Sequence, residues 1–255
     1  MTNRGVMGRM LAEVIKARRD AAIIGSVFFF VAIALYLDAS ASRTFQSFMG
    51  YCAWLVLGLM LWGERPAVRM QVAVAIVFAT IGEYFASVYL GAYIYRFENV
   101  PAYVPPGHGM VYLTAVVMAR QALFTDYRRQ ITWLVLALGG AWSLWGLLFA
   151  ERGDAAGALL FAIFIYCLYK GRSPLVYLAA FFITTWLEIV GTWSGTWYWA
   201  LHDPVLGLPQ GNPPSGVAVW YVMVDALALA LAPRLVAAGT RLRRHFKKGR
   251  LPTAD

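Results

Sequence analysis

Long runs of apolar residues, separated by short polar segments, set the pattern of this 255-residue chain. Most of the runs have close to the ~20 residues that an α-helix needs to cross a bilayer. The pattern predicts an all-α, polytopic membrane helix bundle of about eight transmembrane helices, folded as a single integral membrane domain. The predicted spans are residues 21–37, 46–62, 71–95, 109–124, 131–149, 156–169, 175–199 and 216–236. The fifth and sixth spans are the least distinct, because only residues 151–154 separate them.

The composition excludes a soluble domain and a disordered chain. Apolar residues make up 60% of the sequence and charged residues only 14%, whereas about a quarter of the residues are charged in soluble domains. A soluble globule of this size could not bury so much apolar surface. A disordered chain needs low hydrophobicity and high charge, and this sequence has neither.

The net charge of +9 comes from 22 basic and 13 acidic residues, and the distribution of the basic residues indicates an orientation. With both termini inside, 18 basic residues lie in the tails and inside loops, three lie in outside loops, and Arg120 lies within a span. Because basic residues are enriched on the cytoplasmic side, we predict a protein of the plasma (inner) membrane with both termini cytoplasmic. The basic tails, residues 1–20 and 237–255, would then face anionic lipid, and we expect no nucleic-acid partner.

The third and seventh spans end in similar sequences, which predicts an internal repeat. Glu83 is followed by Gly91-Ala-Tyr-Ile-Tyr and a proline-bearing loop, and Glu188 is followed by Gly195-Thr-Trp-Tyr-Trp and a second proline-bearing loop. Both glutamates lie on helices that run in the same direction. We therefore predict two parallel four-helix repeats, about residues 21–124 and 131–236, related by an axis along the membrane normal.

Three acids and one base fall inside the predicted spans: Glu83, Glu188, Asp225 and Arg120. A charge at the bilayer centre costs about 2.5–3.5 kcal/mol on insertion scales, and such residues commonly mark functional sites. The three acids lie at similar depth. We predict a catalytic site in which Glu83 and Glu188 act as acid and base, in an unassigned order, while Asp225 orients one of them. The alternative is a structural cluster, such as an Arg120–Asp225 ion pair that holds helices together.

Aromatic residues near the glutamates are candidates for substrate binding. Tyr84 and Trp186 share helices with the glutamates, and Tyr112 and Tyr221 lie near the start of the returning helices. Aromatic faces can stabilise a carbocation by cation–π attraction, or they can line a slot for a flat, conjugated hydrocarbon. A further group follows the two glycines and fits the interfacial aromatic belt of a membrane protein: Tyr93, Tyr95, Trp197, Tyr198 and Trp199.

Two proline-rich outside loops, residues 99–109 and 201–216, contribute polar candidates. Proline stiffens these loops and glycine lets them turn tightly, so we expect them to fold over the outer mouth as lids. His108 and Asn212 are the polar groups most suited to face inward. His108 could be a ligand, a base or a turn residue, and Asn212 could start a turn or cap a helix. Arg120 completes the set of predicted substrate-binding residues.

We expect neither a metal nor a cofactor. The sequence has only three histidines and two cysteines, too few for a histidine-box di-iron site or a histidine-bound zinc site. Cys52 and Cys167 lie within separate apolar runs and are interpreted as small buried side chains. The sequence contains no phosphate loop, dinucleotide fingerprint or nucleophile elbow.

The chain resembles the small membrane proteins of carotenoid biosynthesis, a group that includes the carotenoid 1,2-hydratases and the heterodimeric-type lycopene cyclases. The resemblance rests on a glutamate in a helix, followed by glycine, spaced aromatics and a proline-bearing loop. It covers residues 83–106 and, more loosely, residues 188–221. It implies acid-initiated chemistry on the end group of a polyene, without a metal.

Three functions remain open at this point. The first is a membrane enzyme that hydrates, cyclises or isomerises a lipophilic isoprenoid with its buried carboxylates. The second is a small-molecule or lipid transporter with a midplane carboxylate site, which discontinuous helices would favour, for example at Gly139-Gly140. The third is a non-catalytic subunit of a membrane complex, in which the carboxylates would pair with Arg120 and leave no cavity.

Overall fold

The computed structural model of the protein describes residues 3–248. The end of the predicted basic tail, which includes Arg250, lies outside the described residues. Within them, the chain forms nine α-helices: α1 (Asn3–Asp38), α2 (Arg43–Leu61), α3 (Pro66–Glu83), α4 (Val104–Ala119), α5 (Ala122–Asp126), α6 (Arg128–Leu148), α7 (Ala155–Lys170), α8 (Pro174–Trp193) and α9 (Ala218–Lys248). A π-helical turn, Tyr84–Tyr89, extends α3, and two short strands follow α3 and α8: β1 (Tyr93–Tyr95) and β2 (Trp197–Trp199).

The described part of the chain is nearly all α-helical, and six of its helices are long and apolar enough to cross a membrane. They are Glu13–Asp38, Arg43–Leu61, Pro66–Tyr89, Arg128–Leu148, Pro174–Trp193 and Ala218–Arg241. The prediction of a helical, membrane-embedded protein is confirmed at this level. Two further predicted spans correspond to α4 and α7, which have 16 residues each. Most residues of α4 are buried by other helices. A helix that is apolar all round can be a buried core helix as well as a membrane span.

The starts of several helices follow from local sequence. Proline begins α3 and α8, at Pro66 and Pro174, where its missing N–H breaks no helical hydrogen bond. The Ser42 hydroxyl caps α2 by accepting a hydrogen bond from the Phe45 N–H at 3.2 Å.

Four helices form the centre of the molecule. α3 packs against α4 and α9, and α8 packs against the same two helices, so that α3 and α8 lie at opposite corners of a ring and α4 and α9 lie at the other two. Val72, Leu113, Ile183 and Ala228 contribute one buried side chain from each of these helices to the same apolar core. α1 and α2 pack on one side of this ring, and α6 and α7 pack on the other.

The ends of the third and seventh predicted spans differ from the sequence expectation. Gly91 and Gly195 have φ angles of +68° and +73°, a conformation that favours glycine, and both end the helical path. The chain then forms β1 and β2, which pair antiparallel with Ile94 opposite Tyr198. The predicted spans 71–95 and 175–199 therefore ran too far, because aromatic residues at every second position form strands here. We call this part of the molecule the strand end.

The two predicted lid loops also differ from each other. The first is short, because α4 begins at Val104 and His108 lies in its second turn. The second loop, between β2 and α9, is irregular and is anchored by Asp154 at the start of α7. The Asp154 carboxylate accepts hydrogen bonds from the backbone N–H groups of Gly211 and Ser215, each at 2.7 Å.

Candidate functional site

Glu83 lies at the strand end, at the last residue of α3, and is surrounded by hydrogen-bond donors. Its Oε2 atom accepts hydrogen bonds from the hydroxyls of Tyr93 and Tyr95, each at 2.8 Å. Its Oε1 atom lies 2.9 Å from Nε2 of His108. Two phenols from β1 and one imidazole from α4 therefore hold this carboxyl group, which is largely buried.

Glu188 lies in α8 and is held in a parallel way by the second strand. Its Oε2 atom accepts hydrogen bonds from the indole Nε1 atoms of Trp197 at 3.0 Å and Trp199 at 3.1 Å. Gly191, almost one turn further along α8, makes room for this arrangement. A methyl group at Gly191 would overlap the indole ring of Trp197.

The two strands place all four aromatic donors on one face of the small sheet. Side chains alternate between the faces of a strand, so Tyr93 and Tyr95 share a face with Trp197 and Trp199. Across the strands, the rings of Tyr93 and Trp199 have centroids 4.7 Å apart, and those of Tyr95 and Trp197 are 5.8 Å apart. Each cross-strand pair therefore joins a donor of Glu83 to a donor of Glu188.

The backbone around each glutamate is also stabilised in the same way. The Ser87 hydroxyl donates a hydrogen bond to the Glu83 carbonyl at 2.7 Å, and the Thr192 hydroxyl donates one to the Glu188 carbonyl at 2.8 Å. In both cases a hydroxyl residue follows its glutamate by four positions.

The phenols beside Glu83 are suited to remain donors. Burial raises the pKa of Tyr93 and Tyr95 well above their usual range, and the negative charge of Glu83 raises it further. Both hydroxyls therefore keep their protons near neutral pH and can donate to the carboxylate.

The predicted residues His108, Tyr221, Tyr112 and Asp225 lie around the centre of the helix ring. The rings of His108 and Tyr221 have centroids 5.6 Å apart, so Tyr221 of α9 meets the residue that contacts Glu83. Tyr112 and Asp225 are buried one turn further along α4 and α9. Among the described residues, Asp225 makes no direct hydrogen bond to either glutamate.

Three other predicted residues lie outside the group of side chains that holds the two glutamates. Tyr84 directly follows Glu83 but is 53% exposed, and adjacent positions do not share a helix face. Trp186 donates a hydrogen bond from Nε1 to the Phe28 carbonyl at 3.2 Å and packs between α8 and α1. Asn212 orients β2, because its Oδ1 atom accepts a hydrogen bond from the Trp199 N–H at 2.9 Å.

Arg120 lies far from this site. It directly follows α4, 12 residues after His108, which corresponds to about 18 Å along a helix axis. It binds Asp20 of α1 through two nitrogen atoms, and its Nη2 atom lies 2.8 Å from Oε1 of Glu64. The structure therefore brings Arg120 neither to the predicted substrate site nor to the predicted ion pair with Asp225.

This ionic cluster joins three segments at the end of the molecule opposite the strands. Arg19, a residue of the predicted basic tail, contributes to it by donating to Glu64 at 2.8 Å. Burial alone would raise the pKa of Glu64, but hydrogen bonds and charges from Arg120 and Arg19 lower it from 4.5 to about 2. The same carboxylates, Asp20 and Glu64, raise the pKa of Arg120 although its burial acts in the opposite direction.

An apolar groove of about 470 Å³ lies between α1 and α8. Ile33 and Tyr36 line it from α1, and Trp186, Val190 and Trp193 line it from α8. Neither glutamate lines this groove. Ile189 and Val190 do, and they directly follow Glu188 in the chain, so the groove runs beside the helix that carries this carboxyl group.

The residues that sequence reasoning missed are the four aromatic donors. Tyr93, Tyr95, Trp197 and Trp199 contact the carboxylates, so the prediction that they form an interfacial belt was wrong. Tyr198, on the other face of β2, is 51% exposed. The signal was present in the sequence, because glycine followed by aromatics at every second position indicates a strand with its aromatic rings on one face.

Comparisons of the chain with protein-family models, with curated proteins and with solved structures gave no match. The resemblance to carotenoid-biosynthesis proteins therefore stays a prediction. Among the described residues, no three His, Cys, Asp or Glu side chains come together as a metal site would require.

Proposed function

We propose that the protein is a membrane enzyme that uses Glu83 and Glu188 as acid and base in the hydration, cyclisation or isomerisation of a lipophilic isoprenoid. The observation that carries this proposal is the pair of buried carboxyl groups, each held by two aromatic donors from one shared sheet face. Preorganised donors around a buried acid fix its orientation before a substrate arrives.

The partners of the two carboxyl groups suggest different roles. Glu83 contacts His108, an imidazole that can itself take up or release a proton. Glu188 accepts hydrogen bonds from two indoles, which do not exchange protons under ordinary conditions. We therefore assign Glu83 with His108 as the base and Glu188 as the acid that protonates the substrate.

The surroundings suit a substrate that is apolar and electron-rich. Protonation of a polyene end group produces a carbocation, which the faces of the neighbouring aromatic rings can stabilise by cation–π attraction. The groove beside α8 is lined mostly by apolar side chains and offers a lipophilic molecule a route along the helix that carries Glu188.

We further propose that the chain consists of two related halves with both termini in the cytoplasm. Two observations support the halves: the glutamates have matching sets of donors, and β1 pairs antiparallel with β2 as a two-fold axis between equivalent strands would require. The orientation is supported by Arg43, Arg96 and Arg152, the three basic residues of the predicted outside loops. All three contact segments of the strand end.

A transporter is the second candidate, favoured by the π-helical turn that directly follows Glu83. Interrupted helices beside charged residues are typical of transporter sites. The break expected at Gly139-Gly140 is not present, since α6 continues through both glycines. The third function, a non-catalytic subunit, predicted that Arg120 pairs with the carboxylates of the site, such as Asp225. Arg120 pairs instead with Asp20 and Glu64.

The test is organic extraction of the purified protein followed by mass spectrometry, comparing wild type with Glu83→Gln and Glu188→Gln. Glu151→Gln, at an exposed loop position, is the matched control. We expect a chemically altered isoprenoid with wild type and the control, and an unaltered one with the two site variants. Bulk phospholipid alone in every sample would contradict the enzyme and would direct attention to transport assays.

A further inference from the structure

Two helices at opposite corners of the central ring, α4 and α9, carry buried polar side chains to which the proposed acid–base chemistry gives no role. α4 and α9 both begin near the strand end, since Val104 and Val217 pack in the same cluster as Trp197. Both helices then run away from the strands. They therefore run parallel to each other, and equal steps along each helix lead to equal depths.

The first contact between these helices is the pair His108 and Tyr221, whose ring centroids are 5.6 Å apart. Residues four positions apart lie on the same face of a helix, one turn of about 5.4 Å further along. Tyr112 follows His108 by four positions, and Asp225 follows Tyr221 by four. A second pair, Tyr112 and Asp225, therefore lies one turn deeper on the same two faces.

The side chains of this second pair are a complementary hydrogen-bond donor and acceptor. Tyr112 is 2% exposed and Asp225 is 1% exposed. Among the described residues, neither the Tyr112 hydroxyl nor Oδ2 of Asp225 has a hydrogen-bond partner. A phenol is a donor and a carboxyl oxygen is an acceptor. Polar groups buried without a partner lose the hydrogen bonds that they make to water in the unfolded chain, so a small rotation that joins them is favourable.

We propose that Tyr112 and Asp225 form a hydrogen-bonded pair that holds a proton and exchanges it, through the Tyr221 hydroxyl, with the Glu83–His108 pair. This inference rests on the proposed function, because it supplies protons to the same site. It gives Asp225 a different role from the direct orientation of a glutamate that the sequence suggested.

The transfer leaves no charge on the phenol. The carboxyl O–H bond of Asp225 breaks as its proton passes to the Tyr221 oxygen, while the Tyr221 O–H bond breaks as that proton passes to the Glu83–His108 pair. Asp225 is left as a carboxylate, which the Tyr112 hydroxyl stabilises by donation. The reverse movement, from the Glu83–His108 pair through the Tyr221 hydroxyl to the Asp225 carboxylate, restores the starting state.

The pair itself is tested by infrared spectroscopy of the purified protein in lipid nanodiscs, without substrate. We expect the carbonyl-stretch band of a protonated carboxyl group to disappear in Asp225→Asn. The same band should shift in Tyr112→Phe, which removes only the hydroxyl, and should stay in place in Tyr166→Phe at an exposed position on α7. A band unaffected by Asp225→Asn, or one that Tyr112→Phe leaves unchanged, would overturn the pair.

The path is tested by the rate at which this band responds to transfer of the nanodiscs into D₂O. Tyr221→Phe should slow deuteration of the Asp225 carboxyl group at least several-fold, and Tyr166→Phe should not. Equal rates in wild type and Tyr221→Phe would overturn exchange through Tyr221. Because neither measurement uses a substrate, its result is independent of whether Glu83→Gln and Glu188→Gln abolish turnover.

Discussion

Tyr93 and Trp199 face each other across the two strands, with ring centroids 4.7 Å apart, and each donates its polar hydrogen to a different carboxyl group. The Tyr93 hydroxyl binds Glu83, and the Trp199 indole binds Glu188. This contact packs a donor of one carboxyl group directly against a donor of the other. The two acids are therefore parts of one site although 105 positions of the chain separate them.

Removal of one donor to Glu83 should destabilise the protein. We expect Tyr95→Phe to lower the free energy of unfolding by about 1.5–3 kcal/mol, the range for a hydrogen bond to a charged group. Tyr198→Phe, on the exposed face of the partner strand, should change it by less than about 0.5 kcal/mol. Equilibrium unfolding in detergent micelles provides the comparison, and equal losses in both variants would contradict a special role for the inner face.

Gly191 should be intolerant of even one methyl group. Gly191→Ala forces Trp197 away from Glu188, and we expect it to cost about 1–3 kcal/mol, as overpacking typically does. Gly82→Ala is the matched control in α3, because a methyl group there meets no neighbouring atom within 4 Å. In a helix interior that control should be neutral or stabilising by about 0.5–1 kcal/mol. Thermal unfolding followed by tryptophan fluorescence separates the two, and similar midpoints would refute the close contact.

The ionic cluster around Glu64 should make stability depend on acid pH. The pKa of Glu64 is about 2 in the folded protein and 4.5 ordinarily, so the folded state binds this proton more weakly than the unfolded state does. The resulting stabilisation is fully present above pH 4.5 and is lost as the pH falls toward 2. Glu64→Gln should therefore be less stable than wild type at pH 7, with a difference that shrinks below pH 4.5.

The control for this pH dependence is Glu151→Gln, which removes an exposed carboxyl group in a loop. It should differ little from wild type at any pH. A constant difference between wild type and Glu64→Gln from pH 7 to pH 3 would show that the Glu64 charge does not contribute in the expected way.

His108 should matter for turnover if the proposed assignment of the base is correct. General acid–base groups typically contribute about 10²–10⁴-fold to a rate, so we expect His108→Ala to reduce isoprenoid conversion by at least roughly 100-fold. His202→Ala, at an exposed loop position, should retain activity. Product formation measured by mass spectrometry over time distinguishes the two variants. Full activity in His108→Ala would remove His108 from the mechanism and leave Glu83 to act with the phenols alone.

Much of the architecture could be predicted from local properties of the sequence. Helix length and apolar composition are set by neighbouring residues, and they gave the helical, membrane-embedded character of the chain. Glu83, Glu188 and Asp225 stood out as charges within apolar segments, because a buried carboxyl group is costly wherever the helix is placed. The similarity of the two segments after Glu83 and Glu188 was also visible in the sequence, although both segments were predicted to continue as helix.

The partners of these groups could not be predicted in the same way. Whether Arg120 binds Asp225 or Asp20 depends on which helices are neighbours, and Asp20 is 100 positions away in the chain. The aromatic residues after the glycines had the right composition for a lipid interface, yet strand pairing turned four of them onto one inner face. The sequence by itself determined the helices and the positions of the buried acids. Only the tertiary structure decided which donors hold each acid, because those contacts arise where segments distant in the chain pack together.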